Sequence, residues 1–334
     1  MAVIAVLALA AGVVGASAAP SPDVATVRRQ VEALQEEAEA ATETYNATRE
    51  KLKTVTVLLQ AATSRVDQQR KRVEEAREAL GRLAAETYKA GDLQALSIFL
   101  DDDPQAMLAA TGLRSTLSDR QAEAVAALVT AQKQLNDDQA ELAAQRKQLT
   151  EETARLSTLK KQVLTKLAES RRLLSRLDGT QRQAITRVSK TLDREALEKL
   201  GITVPANGML DCADVGVDAP NARAQTAISF ACAQLGKPYQ WGGDGPGSYD
   251  CSGLIMAAWD RAGVSLPHNA AMQARYGTHV SAASLQPGDL LFFNGYNHMG
   301  MYLGKGLMIH APHTGDVIRV APARLAQLIS AVRL

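Results

Sequence analysis

The stretch Gly242–Gly263, GGDGPGSYDCSGLIMAAWDRAG, decides how the last third of the chain is built. Its first half cannot hold regular structure, because four glycines free the backbone and Pro246 removes a donor. Its second half sets Leu254, Ile255, Ala258 and Trp259 at helical spacing. Asp250 stands where an N-cap belongs, which puts Cys251 in the first turn of that helix. There the helix dipole and the unpaired amides favour a thiolate, the nucleophilic form of cysteine. Gly242, Gly243, Gly245 and Gly247 keep the approach to the sulfur open, so Cys251 is expected to be pre-activated; the alternative is a buried, inert thiol.

A thiolate nucleophile needs an imidazole to take its proton and later protonate the leaving group. All five histidines lie downstream, at 268, 279, 298, 310 and 313. The segment Leu290–Pro312, LLFFNGYNHMGMYLGKGLMIHAP, has the pattern of consecutive short strands. If Gly304, Lys305 and Gly306 form the last loop, Leu303 pairs with Leu307 and His310 faces Gly300. His298 and His310 then share a face as diagonal neighbours, with Gly300 leaving room beside them. A two-residue loop would put them on opposite faces. His268 follows Ser265, Leu266 and Pro267 at a turn, and His279 sits in a polar loop. His313 is the alternative to His310, Asp289 reads as a turn residue rather than an acid, and Lys305 and Arg319 either meet substrate carboxylates or line a solvated face. A thiol with two imidazoles could instead hold zinc, but the spacing lacks the close ligand pairs of structural zinc sites.

The motifs DCSGL around Cys251, YQWGG at Tyr239–Gly243, PGDLLFF at Pro287–Phe293, HMGMYLG at His298–Gly304 and MIHAP at Met308–Pro312 resemble the NlpC family of papain-like cell-wall cysteine peptidases. The resemblance covers essentially all of residues 222–334. It implies Cys251 as nucleophile, His298 as base, His310 as the residue that orients the imidazole, and Tyr239 as a helper at the oxyanion beside the Cys251 amide. It also implies that Asp250, Ser252 and Trp241 shape the subsite for a stem peptide, that the reaction is hydrolysis of the amide between D-γ-glutamate and a diamino acid in peptidoglycan, and that no cofactor or metal is required.

Upstream the text is of another kind. From Val24 the apolar positions alternate three and four apart through Val31, Leu34, Ala38, Leu52, Val55, Leu59, Val66, Val73 and Leu80, the seam of a coiled coil. Gly91 and Asp101–Pro104 interrupt it. Leu128, Leu135, Leu142, Leu149, Leu156 and Val163 then recur every seven residues, with Asp138, Gln145 and Glu152 at the other seam position. Two long helices joined by a break predict an antiparallel hairpin whose arms reach roughly 100 Å at 1.5 Å per residue. The apolar tract Leu93–Leu100 at the break is either a cap on the hairpin tip or a docking surface. The turn Tyr88–Gly91, followed by an apolar helix and a short acidic break, resembles the hairpins of cell-division hydrolases and their activators, which implies a membrane regulator of FtsEX type.

Composition agrees with this division. The chain carries 37 basic and 36 acidic side chains and a net charge of +1, so no field calls for a nucleic acid or an anionic membrane. Ten of the 13 aromatic residues lie in 222–334, and only Tyr45, Tyr88 and Phe99 precede them. Residues 1–19 are uncharged and end in a small-x-small pattern, the reading of an export signal cut after Ala18 or Ala19; the alternative is an uncleaved anchor. Export implies an oxidising exterior, where Cys212, Cys232 and Cys251 suggest one pair and one free thiol. A Cys212–Cys232 bridge would contribute about 3 kcal/mol through its loop; otherwise Cys232 is a small core residue.

The expected architecture is therefore α+β: a signal over 1–19, a coiled-coil hairpin over 23–200, a linker over 201–221, and a papain-like domain over 222–334 with helices packed on an antiparallel sheet. The expected function is a secreted, cell-wall peptidoglycan endopeptidase controlled by its arm. The alternatives are a non-catalytic scaffold that activates other hydrolases, and an amidase or acyltransferase on the same fold.

Overall fold

A computed structural model describes residues 24–89, 119–181, 193–205 and 209–334. The leader 1–19, the tract Leu93–Leu100 and the break Asp101–Pro104 lie outside the described residues. Two long helices, α1 (Val24–Lys89) and α2 (Asp119–Ser175), pack along one another. They run antiparallel. As numbers rise through Glu37, Lys51 and Arg65 on α1, their ion partners fall through Lys166, Glu152 and Asp138 on α2. The seam buries Ala62, Val66 and Val73 against Leu135 and Leu142. Asp138 and Glu152, the polar residues that thin the α2 stripe, are buried in it and answered by Arg65 (3.7 Å) and Lys51. A buried carboxylate needs such a cation to remain charged. No helix among the described residues is long and apolar enough to cross a membrane.

The C-terminal domain contains helices α3 (Cys212–Val215), α4 (Ala222–Cys232), α5 (Cys251–Arg261) and α6 (Ala270–Gln273). Each starts at a side-chain cap: Asp211, Asn221, Asp250 and Asn269 respectively. Its strands are β1 (Thr278–His279), β2 (Leu290–Phe293), β3 (His298–Gly304), β4 (Leu307–His310), β5 (Arg319–Pro322) and β6 (Ser330–Arg333). They form one antiparallel sheet in the order β1-β6-β2-β3-β4-β5. β2 is buried on both faces. Leu290 and Phe292 join α4 and α5 around Trp259, while Leu291 and Phe293 join Tyr302 and Met308 in a second cluster.

The β3–β4 connection differs from the three-residue loop expected. Met301 pairs with Ile309 and Tyr302 with Met308, as that loop would give, but the turn is Lys305–Gly306 and Gly304 pairs with Leu307. Both turn residues have positive φ, 53° and 74°, the backbone that matches the twist of a two-residue hairpin. A bulge between Tyr302 and Gly304 absorbs the extra residue and restores the register. His298 and His310 therefore do share a face. Gly300 lies against them, and a Cβ there would come within 3.2 Å of His310 Cβ.

The segment leading into the domain packs as part of its core. Leu197, Leu210 and Val215 belong to the same buried cluster as Trp259 and Ile309. Cys212 and Cys232 form a disulfide, so Cys232 is bridged rather than a lone core thiol. Lys305 Nζ donates to Val215 O (2.7 Å), and Arg319 pairs with Asp193 (2.7 Å). Both cations are thus tied within the chain, Lys305 while remaining exposed and Arg319 half-buried.

Candidate active site

Cys251 is the free cysteine and opens α5. Asp250 caps that helix by accepting from Gly253 N–H at 2.7 Å, and close packing enforces the glycine: a Cβ at 253 would meet Gly243 O at 2.1 Å. The Cys251 sulfur lies 4.0 Å from Asn297 O and accepts from Met299 N–H, so it rests against the two residues flanking His298. His298 Nε2 and His310 Nδ1 are 2.8 Å apart with rings edge to face. His298 Nδ1, the nitrogen on the cleft side, has no hydrogen-bond partner. Tyr239 is buried, and burial together with the Cys251 sulfur holds its phenol above the ordinary range.

The cleft is not open. Along α1 the side chains of Gln35, Glu39, Glu43, Asn46 and Arg49 enter it at helical spacing. Glu43 Oε1 accepts from Ser252 Oγ (2.7 Å) and from the Cys251 thiol (3.6 Å), while Oε2 accepts from Asn269 Nδ2 (2.8 Å) and Ala270 N–H (2.7 Å). Asn46 Nδ2 donates to Asp250 Oδ2 at 2.9 Å. Glu39 stands 3.8 Å from His298 Nδ1, and Gln35 lies 3.2 Å from His313 Nδ1. Arg49 donates to Gly242 O (3.1 Å), and Tyr45 sits edge-on to Trp241. A cavity of about 360 Å³ remains between α2 and Tyr239–Trp241, lined also by Leu164, Leu167 and Arg171.

This closure reverses the expected electrostatics. Burial, then the carboxylates of Glu43, Asp250 and Glu39, push the Cys251 thiol well above its ordinary range despite the helix N-terminus. Burial lowers His298 to about 4 and also depresses His310, which His298 depresses further. Thiol and imidazoles are thus neutral together. Glu43 is raised to about 7 by burial and by Asp250, and Glu39 is raised by burial and by Glu36 and Glu43.

Of the residues singled out in the sequence, Cys251, Tyr239, Asp250, Ser252, His298, His310 and Trp241 converge on this cleft. His313 contacts the arm and not His298. Asp289 is buried in a turn, accepting from Gln286 N–H and paired with Arg333 at 2.8 Å. His279 lies at the sheet edge on Ser330. Among the described residues no group of three His, Cys, Asp or Glu side chains is arranged to hold a metal. Two features escaped sequence reasoning. The arm's polar residues at 35, 39, 43 and 46 look like any solvated helix face, and His268, taken for a turn residue, bonds Asp250 Oδ1 at 2.8 Å.

Residues 236–330 match the sequence pattern of the NlpC/P60 family. The C-terminal domain is an NlpC/P60 domain. A probable endopeptidase of Mycobacterium tuberculosis is 41% identical over 123 residues, 36% of this chain and 32% of that protein. The peptidoglycan endopeptidase RipA of the same species is 32% identical over 161 residues, covering 42% and 34%. The chain thus spans about a third of the length of these relatives. Among solved structures, the peptidoglycan hydrolase RipB of M. tuberculosis is similar at 27% identity over 48% of this chain and 87% of that one, with a TM-score of 0.32.

Proposed function

We propose that this protein is an exported peptidoglycan endopeptidase that hydrolyses the amide between D-γ-glutamate and the following diamino acid, and that its own arm holds it inactive. The observation that carries this reading is the Glu43 carboxyl beside the sulfur of Cys251. A glutamyl side chain ends in the same CH2–CH2–carboxyl unit as a γ-linked glutamate. Docked in the cleft, it puts that carbonyl carbon at the nucleophile, where a γ-glutamyl amide would present its own.

With the arm lifted, water returns and the helix N-terminus can favour the thiolate. If His298 Nε2–H is directed at His310 Nδ1, His298 Nδ1 keeps its lone pair for the thiol proton. The sulfur attacks the amide carbonyl carbon, and the oxyanion accepts from the Cys251 N–H and the Tyr239 hydroxyl. Collapse breaks the C–N bond, His298 returns its proton to the amine of the leaving diamino acid, and a thioester remains. Water, deprotonated by His298, attacks the thioester, and the thiol leaves with the proton. Asp250, Ser252 and Trp241, now covered by Asn46, Glu43 and Tyr45, are freed for the stem peptide.

The relatives named as endopeptidases support the reaction class, and the export signal read in residues 1–19 supports action outside the membrane. A membrane regulator of FtsEX type, engaging the arm during cell division, is the partner that would lift it. The test is digestion of purified muropeptides by the full chain, by Glu43→Ala and by Glu43→Ala/Cys251→Ala, with products read by mass. Cleavage at the γ-glutamyl bond is expected in Glu43→Ala and its loss on Cys251→Ala; absence of Cys251-dependent cleavage rejects the reading in favour of a scaffold.

A further inference from the structure

Asp250 is fully buried, and its two oxygens are used differently. Oδ1 accepts from Gly253 N–H (2.7 Å) and the His268 ring (Nε2, 2.8 Å), and Ser252 Oγ, whose one proton goes to Glu43 while the arm is docked, lies 3.3 Å away. Oδ2 accepts from Asn46 of the arm, so it is the oxygen uncovered toward the cleft when the arm leaves. His268 is itself buried, and the space it needs exists because residue 253 is glycine: a Cβ there would stand 2.9 Å from His268 Nε2. The side-chain amide of Gln273, also fully buried, donates to both Pro267 O (2.8 Å) and Ser252 O (3.0 Å) and so ties the His268 loop to the start of α5. Asp250 Oδ1 accepts at 2.8 Å, which places a proton on His268 Nε2, while His268 Nδ1 is buried without a partner.

We propose that His268 is a positioning residue for the reaction proposed above, holding Asp250 as the N-cap whose Oδ2 faces the cleft to accept a donor of the substrate. The argument is one of charge. A carboxylate removed from water reverts to the neutral acid unless a cation or several donors hold it. Glu43 faces the same pair and adds negative charge, and Arg49 is the other cation acting on His268. Arg49 bonds Gly242 O and Asp244 rather than Asp250, and it departs with the arm. His268 is then the group that stays. Although burial alone would lower it, the Asp250 carboxylate, its hydrogen bond and Glu43 raise its pKa above the ordinary histidine value.

Two measurements test this. In the full chain with isotope-labelled histidine, the His268 ring is expected to titrate above about 6.5 and to fall on Asp250→Asn. A ring that titrates at or below that value, or is unmoved by Asp250→Asn, overturns the proposal without reference to activity. In the Glu43→Ala full chain, adding His268→Gln is expected to raise KM for muropeptides about tenfold with kcat within about threefold, the signature of lost binding, while the melting curve stays cooperative. The alkaline limb contributed by His268 should disappear from its kcat/KM profile. An unchanged KM and pH profile overturns the proposal. Should the Glu43→Ala parent cut nothing, the endopeptidase reading fails and the titration alone decides His268.

Discussion

Glu43 and Cys251, 208 positions apart in the chain, meet at 3.6 Å inside one buried cleft. The helix that carries Glu43 lies over the buried sulfur.

Removing that carboxyl should release the arm. Glu43 accepts four hydrogen bonds in the cleft, and leaving its donors unpaired costs about 1–3 kcal/mol. Glu43→Ala is therefore expected to raise the rate of Cys251 alkylation by iodoacetamide at least about tenfold. An alkylation rate equal to wild type would show that Glu43 does not gate the thiol.

The docked arm should loosen as pH rises. Glu43 titrates near 7 when docked, raised by burial and Asp250, and at about 4.3 when free. A raised pKa means that the docked form binds the proton more tightly. Docking is thus strongest below pH 4, weakens from there to 7, and by then has lost on the order of 3 kcal/mol. Glu39, also raised, adds to the same direction. Small-angle scattering of the full chain from pH 5 to 8 should show the arm moving off, and Glu43→Gln should flatten the dependence. A change of shape with the opposite sign would refute this account.

His310 should matter for rate rather than binding. It contacts the proposed base, not the cleft opening, at 2.8 Å. In the Glu43→Ala background, His310→Ala is expected to lower kcat on the order of 10²-fold with KM little changed; His310→Gln, which keeps a polar partner, should recover part of it. A pure KM effect would place His310 in substrate binding instead.

The Cys212–Cys232 bridge ties the start of α3 to the end of α4. Cys212→Ala/Cys232→Ala is expected to lower the unfolding free energy by about 3 kcal/mol, read from urea denaturation. Reduction should produce the same loss in wild type and none in the double variant.

The elements with local signals were legible in the sequence. Asp250 before an apolar-periodic run marks the start of α5, and the seven-residue repeat from Leu128 marks α2. The His298–His310 pairing was foreseen through a three-residue loop, and the molecule reaches the same register through Lys305–Gly306 and a bulge, because positive φ at both turn residues favours the tighter hairpin. The sequence could not show that Glu39, Glu43 and Asn46 are buried. On an isolated helix they are ordinary polar positions, and the contacts that bury them come from residues some two hundred positions away. The expected thiolate fails for a related reason: the helix N-terminus is a local feature, whereas the opposing burial and the carboxyls of Glu43 and Glu39 come from packing between distant parts of the chain.

Asp193, ion-paired with Arg319 and Arg324, moors the segment that follows the arm to the domain ahead of the Cys212–Cys232 bridge. On the reading proposed above, an arm joined to the domain it covers keeps a local concentration on the order of millimolar and rebinds once released. On the same reading, an activator has to hold the arm for as long as cutting is wanted, which would confine cleavage to the place and moment at which it is held.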